Sequence, residues 1–313
     1  MKVAVVDLGT NTCRLLLAEV GDCGGVKTEA RLTTVVRLGQ GVDRSGRLDP
    51  AAVARARGCL AAYAPRLESY GPARRLLVAT SVLRDAADGR GFLAGVARDF
   101  ALPSRVLAGE EEGALAFRGG TTELAGRASG PLVLTDIGGG STEFAVGAAG
   151  AKPGFVRSLD IGVVRLTERF LHHDPPATDE LRRLTAFVAG AIAEGVPATV
   201  RGAAHGAVGV AGTYTTLVAH KLGLREYRSA LVHGHVLSLA DIDAAIVEFA
   251  ALTNAQRGRL PGIQKGREDV ILAGALIARE ACRAFGLSEV RCSEADILEG
   301  AALALAEGSL GID

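Results

Sequence analysis

Thr135–Val146 reads TDIGGGSTEFAV. It follows a short apolar run, PLVL at Pro131–Leu134, and brings an acid, three glycines and two hydroxyls to the end of what reads as a buried strand. A core gains nothing from a carboxylate and a Gly-Gly-Gly run in that place. The glycines make sense for another reason. Without Cβ atoms in the way, successive backbone amides can approach one small space, and such a nest of N–H groups binds an anion, most often phosphate. Nearly the same word occurs near the start, in VAVVDLGTNTCRLLLAEV at Val3–Val20. Asp7-Leu8-Gly9-Thr10-Asn11-Thr12 aligns on Asp136-Ile137-Gly138-Gly139-Gly140-Ser141. One such turn could be a hairpin in which glycine only relieves backbone strain. Two of them, each after a strand and a domain's length apart, read as an internal duplication.

The surrounding pattern supports two α/β halves. In the first, strands are expected at Lys2–Asp7, Thr12–Val20, Val26–Leu38, Arg75–Thr80 and Ser104–Leu107. A helix is expected from the acidic cap and proline of Asp49-Pro50 to about Ser69. Ser81–Phe100 reads as a helix broken at Asp88-Gly89, and another helix runs from Gly109 to about Leu124. Gly126–Gly130 is a Gly/Ala/Ser stretch, so the boundary is placed there: domain one at 1–125, domain two at 126–313. The pattern then restarts with strands at Pro131–Asp136, Ser141–Val146 and Phe155–Asp160. Later come a strand at Ala207–Ala211, one at Glu289–Cys292, and a last helix at Asp296–Glu307, whose packing back on the first domain is left open. The expected fold is α/β, two similar domains flanking a cleft, with the two turns facing across it.

Composition narrows the function. The 313 residues are 48% hydrophobic, which makes a folded globular chain. A formal net charge of zero argues against bulk electrostatic binding to nucleic acid or membrane. The absence of Trp leaves few stacking platforms for single strands. Five scattered cysteines match no zinc pattern and read as reduced thiols of a cytoplasmic protein. No secretory leader is visible, and no apolar run reaches the roughly 18 residues of a membrane span.

The turns specify the chemistry. Thr10, Asn11, Thr12, Ser141 and Thr142 add short donors to the amides of Gly9 and of Gly138, Gly139 and Gly140. Asp7 and Asp136, at the strand ends, would repel a phosphate unless a cation lay between. Mg²⁺ fits, since it takes oxygen ligands and binds through one or two carboxylates plus phosphate; Glu143, across the second turn, is the further metal candidate.

The paired Asp-[Leu/Ile]-Gly words resemble the phosphate loops of the actin-like (ribonuclease H-like) ATPase superfold. The whole chain is similar to the Ppx/GppA family of exopolyphosphatases and guanosine pentaphosphate phosphohydrolases. ATSVLRDA (Ala79–Ala86), LAGEEEGALAF (Leu107–Phe117), TDIGGGSTEF, SLDIGVVRLTERF (Ser158–Phe170), GVAGTYTTLVA (Gly209–Ala219), GREDVILAGA (Gly266–Ala275) and CSEADILEGAA (Cys292–Ala302) carry the resemblance, with the N-terminal word. The length resembles the family's short, two-domain members.

That resemblance implies hydrolysis of a terminal phosphoanhydride, with inorganic polyphosphate the leading substrate and guanosine pentaphosphate (pppGpp) the alternative. It implies Glu112 as general base, with Glu111 second, and Arg14 and Arg84 as phosphate-handling residues. Ala108 departs from the family's usual Ser or Thr. Gly209, Gly212 and Thr213 are the candidate distal ligand site, the other reading being a close helix–strand crossing. A sensor or a phosphotransferase of the same superfold is the reading of another class. The cofactor call is Mg²⁺, with K⁺ left open beside it; a homodimer is also left open. The His233-Gly-His235 pair reads as local packing rather than a metal site.

Overall fold

In this computed structural model residues 1–21, 24–71 and 73–311 are described, so Cys23 lies outside them. The chain divides into two compact units, Met1–Leu115 with Ile297–Asp313, and Ala116–Asp296. The division falls inside the helix Gly109–Thr121, not at Gly126–Gly130. This helix does not break, and its Gly120 already lies against the Leu134 and Val210 side chains of the second unit.

Unit 1 holds a five-stranded sheet: β1 (Lys2–Leu8), β2 (Thr12–Val20), β3 (Val26–Val35), β4 (Arg74–Ala79) and β5 (Ser104–Val106), in the order β3-β2-β1-β4-β5. β2 is antiparallel to both β1 and β3, whereas β4 runs parallel to β1 and β5 to β4. β1 and β2 are apolar on both faces, as strands covered on both sides must be. Cys13, Leu15 and Leu17 join one core with Ala52, Ala56, Cys59, Leu60 and Tyr63 of the helix Pro50–Ser69. That helix starts as expected, with the Asp49 side chain accepting from the Ala52 amide at 3.0 Å and Pro50 in its first turn. Val3, Val5 and Leu16 are buried outside that core. The chain end supplies their cover: the helix Ile297–Glu307 packs on β1 and β2. Arg74 Nη1 donates to its Leu305 carbonyl at 2.9 Å, and Arg31 pairs with its Glu299.

Unit 2 holds β6 (Leu132–Ile137), β7 (Thr142–Gly147), β8 (Phe155–Leu159), β9 (Gly206–Val210), β10 (Val236–Ser238) and β11 (Glu289–Cys292), ordered β10-β11-β9-β6-β7-β8. Read from β8, the order β8-β7-β6-β9-β11 repeats that of unit 1, with the same parallel and antiparallel neighbours. The duplication expected from the two Asp-Gly words is thus a duplication of topology, that of the actin-like ATPase superfold. β10 is the addition, an edge strand of three residues and too short to show alternation in the sequence. The core gathers on the helix Ile271–Ala284, whose residues are nearly all buried. Among the described residues no helix is long and apolar enough to cross a membrane.

The chain-end helix fits because Gly300 lets it approach the backbone of Leu115; a Cβ there would collide with the Leu115 carbonyl. Gly300→Ala is expected to lower stability by about 1–3 kcal/mol, the usual cost of overpacking, read as a lower urea midpoint with an unchanged m-value. A midpoint equal to wild type would show that this approach is not tight.

Candidate active site

In unit 1 the first turn joins β1 to β2. The Gly9 amide donates to the Thr12 carbonyl at 2.9 Å, closing the hairpin. The segment leaving β3 then takes hold of the turn from outside. Gly39 N–H donates to the Thr10 carbonyl at 2.8 Å, and the amides of Val36 and Arg37 both donate to the Asn11 carbonyl at 2.9 Å. Gly39 is required, because a Cβ would run into the Thr10 side chain. Arg37 adopts a left-handed backbone, φ 51°, a conformation a side chain takes only at a cost. In a planar trans peptide the C=O and the following N–H point in opposite directions. With the Thr10 carbonyl captured on one side, the Asn11 amide points to the other.

The acid of this turn is not idle. Asp7 and Arg14 are direct cross-strand partners, and Arg14 grips the Asp7 Oδ2 with Nε at 2.8 Å and Nη2 at 2.7 Å. The Thr10 hydroxyl lies 3.1 Å from that of Ser81, where β4 hands over to the helix Ser81–Asp85. Arg84 stands in the last turn of that helix. Its Nη1 reaches across to the Leu107 carbonyl at 2.6 Å and to Glu112 Oε2 at 3.2 Å. Glu112 is itself buried, in the first turn of Gly109–Thr121.

Glu111, the second candidate for the base, is committed elsewhere. Its carboxylate takes Arg105 Nη2 at 2.5 Å and the Ala108 amide at 2.9 Å. That is half of a capping box: the third helical residue caps the residue before the helix, and Ala108 has no hydroxyl to return the bond. The departure at Ala108 therefore removes a helix cap.

In unit 2 the second turn is held in the same manner. Gly138 N–H donates to the Ser141 carbonyl at 3.0 Å. The residues leaving β8 then collect the carbonyls of the glycines. Val163 N–H donates to Gly138 O and Val164 N–H to Gly139 O, both at 2.9 Å, and Gly162 N–H to Gly140 O at 3.2 Å. The Arg165 Nε adds a bond to Gly140 O at 2.8 Å. Gly162 has no room for a Cβ against Gly139 and Gly140. With three carbonyls drawn onto the start of the helix Val163–Phe170, the amides of Gly139, Gly140 and Ser141 all point away from it.

Beside this nest, Asp136 and Glu143 sit directly opposite each other on β6 and β7. Both are buried, Glu143 to 0% exposure. Ser158, opposite Glu143 on β8, donates its hydroxyl to Glu143 Oε1 at 2.7 Å. Thr142 does not serve as expected. Its one hydroxyl proton goes to the Ile161 carbonyl at 2.7 Å, so it ties the turn to the β8 exit and donates to no ligand.

The GVAGT turn follows β9, whose Val210 pairs with Asp136. Here packing claims two of the three expected residues. A Cβ on Gly209 would lie 2.5 Å from the ring of buried Tyr214, and Thr213 fits against Gly274 of the long core helix. Gly212 differs: the Arg267 guanidinium lies over it, in the space a Cβ would fill, with Nη1 3.4 Å from the Thr216 hydroxyl. Arg267 stands outside every sequence-based expectation; GREDV marks its neighbourhood, but only folding lays it on Gly212. Ala211 is the other surprise, a non-glycine residue at φ 66°. His233 is held between Glu123, at 2.7 Å from Nε2, and the Glu294 amide, at 3.1 Å from Nδ1. Among the described residues no group of three or more His, Cys, Asp and Glu gathers as a metal site.

A sequence model of the Ppx/GppA phosphatase family matches residues 18–307. The chain belongs to that family. It is an enzyme, a phosphoanhydride hydrolase. It is 39% identical to a Mycobacterium tuberculosis protein named exopolyphosphatase 2, over 97% of this chain and 98% of that one. Among solved structures it is similar to an exopolyphosphatase-like protein, with a TM-score of 0.91 and 32% identity over 99% of this chain and 100% of that one. The Aquifex aeolicus family member matches with a TM-score of 0.82 and 29% identity over 99% of each chain.

The bracing of the second turn has a direct test. Gly162→Ala is expected to loosen the bonds to Gly138–Gly140. Hydrogen exchange of the Val163 and Val164 amides should speed up about 5- to 150-fold, the equivalent of an overpacking cost of about 1–3 kcal/mol. Unchanged protection would mean that the turn does not depend on this glycine.

Proposed function

We propose that this Ppx/GppA phosphatase hydrolyses the terminal phosphoanhydride of inorganic polyphosphate and releases orthophosphate, with Mg²⁺ as cofactor. The observation that carries the reading is the amide nest of Gly139, Gly140 and Ser141 beside the carboxylates of Asp136 and Glu143. Such a nest takes a phosphoryl oxygen. Two carboxylates directly across a strand pair repel each other, and a cation relieves that repulsion. Mg²⁺ fits a two-carboxylate set completed by phosphate oxygens, and needs no third protein ligand. When bound there it would neutralise charge developing on the phosphoryl oxygens.

Unit 1 carries residues suited to the remaining roles. Glu112 takes the proton of the attacking water. Arg84 holds the Glu112 carboxylate in place and brings positive charge to its side. The Asn11 amide and the Thr10 hydroxyl bind phosphate oxygen. Asp7 fixes the direction of the Arg14 guanidinium through Oδ2, and its Oδ1 is the oxygen that would join the metal shell. In unit 2 Arg267 extends positive charge along the Gly212 turn, where the next phosphates of a chain would be neutralised. The names of the similar proteins favour polyphosphate. Guanosine pentaphosphate presents the same terminal group and is separated by assay.

Orthophosphate release should be measured with Mg²⁺ on long-chain polyphosphate, guanosine pentaphosphate and ATP. The wild type is expected to prefer polyphosphate, and Glu112→Gln to lose about 10²–10⁴-fold in kcat, the range for a general base. Chelation of Mg²⁺ should stop release, and Asp136→Asn should raise the Mg²⁺ concentration needed. Preference for guanosine pentaphosphate would move the substrate and keep the mechanism. Full activity in Glu112→Gln would remove the base, and no release from any of the three would overturn the reading.

A further inference from the structure

The helix Pro50–Ser69 carries two arginines, Arg55 and Arg57, in the word AVARARG at Ala52–Gly58. They look alike in the sequence, and the fold gives them different partners. Arg57 Nη2 pairs with Asp99 at 2.5 Å, at the end of the helix Gly89–Asp99. The partners of the Arg55 guanidinium are all neutral oxygens of the segment leaving β3. Its Nε donates to the Val36 carbonyl at 2.8 Å. Its Nη2 donates to the Arg37 carbonyl at 3.3 Å and to Gln40 Oε1 at 3.2 Å.

These are residues of the brace behind the first glycine turn. The Val36–Arg37 peptide is bonded at both of its edges. Its carbonyl accepts from Arg55, and its N–H, the Arg37 amide, donates to the Asn11 carbonyl at 2.9 Å. A planar trans peptide points these two groups in opposite directions, so Arg55, the peptide and the Asn11 carbonyl form one chain of bonds. The Asn11–Thr12 peptide continues it. With its carbonyl taken by Val36 and Arg37, its N–H, the Thr12 amide, points away from the brace, as the Asn11 amide does. The second contact of Arg55 acts on the other half of the brace. The Arg37 carbonyl also accepts from the Gln40 amide at 3.2 Å, closing the short turn that presents the Gly39 N–H to the Thr10 carbonyl. Arg37 itself has a left-handed backbone, φ 51°, a conformation that persists only where its surroundings hold it.

We infer that Arg55 is a positioning residue for phosphoanhydride hydrolysis: by holding the Val36 and Arg37 carbonyls, it aims the Asn11 and Thr12 amides at the phosphoryl oxygens of the substrate.

The chemistry of the contact suits that task. A cation donating to neutral carbonyls makes hydrogen bonds stronger than those between neutral groups. Bonds in a chain polarise one another. A charge at the Val36 carbonyl thus strengthens the Arg37 N–H as a donor to Asn11, and through it the Thr12 N–H as a donor to phosphate. The anchor is rigid. The helix packs into the core through Ala52, Ala56, Cys59 and Leu60, and two turns after Arg55 its Tyr63 hydroxyl donates to the Cys13 carbonyl of β2 at 3.0 Å. Arg55 itself is exposed and outside that core, so replacing it leaves the packing of the helix intact. The effect on rate rests on the function proposed above; the hold on the brace does not.

The full-length wild type should be compared with Arg55→Gln, Arg55→Lys and Arg57→Gln, by hydrogen exchange and by phosphate release from the substrate the wild type prefers. In Arg55→Gln the Arg37 amide should exchange about 10- to 150-fold faster, the loss expected for a hydrogen bond from a charged group. Its kcat/KM should fall about 10–100-fold, the scale of a misplacement near 1 Å. A rise in KM should carry the larger part, because these amides bind phosphate before as well as during the reaction. Arg55→Lys keeps one charged donor and should fall between Arg55→Gln and wild type in both measurements. Arg57→Gln removes an equal charge from the same helix and should match wild type. Unchanged exchange of the Arg37 amide in Arg55→Gln would overturn the inference, as would faster exchange with a wild-type kcat/KM. An equal loss in Arg57→Gln would also overturn it, since the effect would then belong to charge alone. Should the wild type release no phosphate from any substrate, the hydrolase reading fails separately, and the exchange of the Arg37 amide decides whether Arg55 holds the brace.

Discussion

Everything at the two glycine turns depends on how their carbonyls are captured. Each turn connects two antiparallel strands, and each is held from outside by the segment that leaves the third strand. In unit 1 the amides of Val36, Arg37 and Gly39 do this; in unit 2 those of Gly162, Val163 and Val164. Because the peptide is planar, fixing the carbonyls on one side aims the amides to the other. The amide nest is therefore built by its backing and would not exist in an isolated hairpin. Both backings need one glycine for close approach, Gly39 at Thr10 and Gly162 at Gly139 and Gly140. The sheet order β3-β2-β1 and its counterpart β8-β7-β6 are what bring the third strand's exit to the turn.

Electrostatics add a second layer. The charged residues of unit 1 are organised as pairs: Arg14 on Asp7, Arg84 on Glu112, Arg105 on Glu111. Pairing lets the Asp7 and Glu112 carboxylates be buried without the full cost of an isolated charge. It also sorts two adjacent glutamates into different tasks. Glu111 caps its helix from outside, whereas Glu112, one residue on, is turned into the unit beside Arg84. In unit 2 Asp136 and Glu143 face each other across the ladder, and Glu143 takes the Ser158 hydroxyl.

Much of this was legible beforehand, for reasons that are local. The strands at the two Asp-Gly words, the Asp49-Pro50 helix start and the break at Asp88-Gly89 are set by short-range pattern, and the structure has them within a residue or two. Glu112 was reached only through a family resemblance, since a glutamate triplet at a helix start has an ordinary explanation in the helix dipole. Thr142 was misread because a hydroxyl beside a glycine turn looks free until its acceptor, Ile161, is known. Gly209 and Thr213 had two readings, a distal ligand site or a close helix–strand crossing, and the structure packs them against Tyr214 and Gly274. Arg267 escaped notice because it is far along the chain from the glycine it covers.

The sequence by itself determined that there are two α/β halves, that each places an acid and a glycine turn after its first strand, and that the turns suit phosphate. Those properties follow from periodicity and from what glycine permits, both read within a dozen residues. Tertiary structure decided which way the amides point, which glutamate stands beside Arg84, which hydroxyls are already spent, and that the chain's last helix covers the first sheet. Each of these depends on partners distant in sequence: Gly39 for Thr10, Arg84 for Glu112, Ile161 for Thr142, Gly300 for Leu115. A hydrogen bond or a close backbone approach is set by position in space to a fraction of an ångström, and one-dimensional pattern carries no such information.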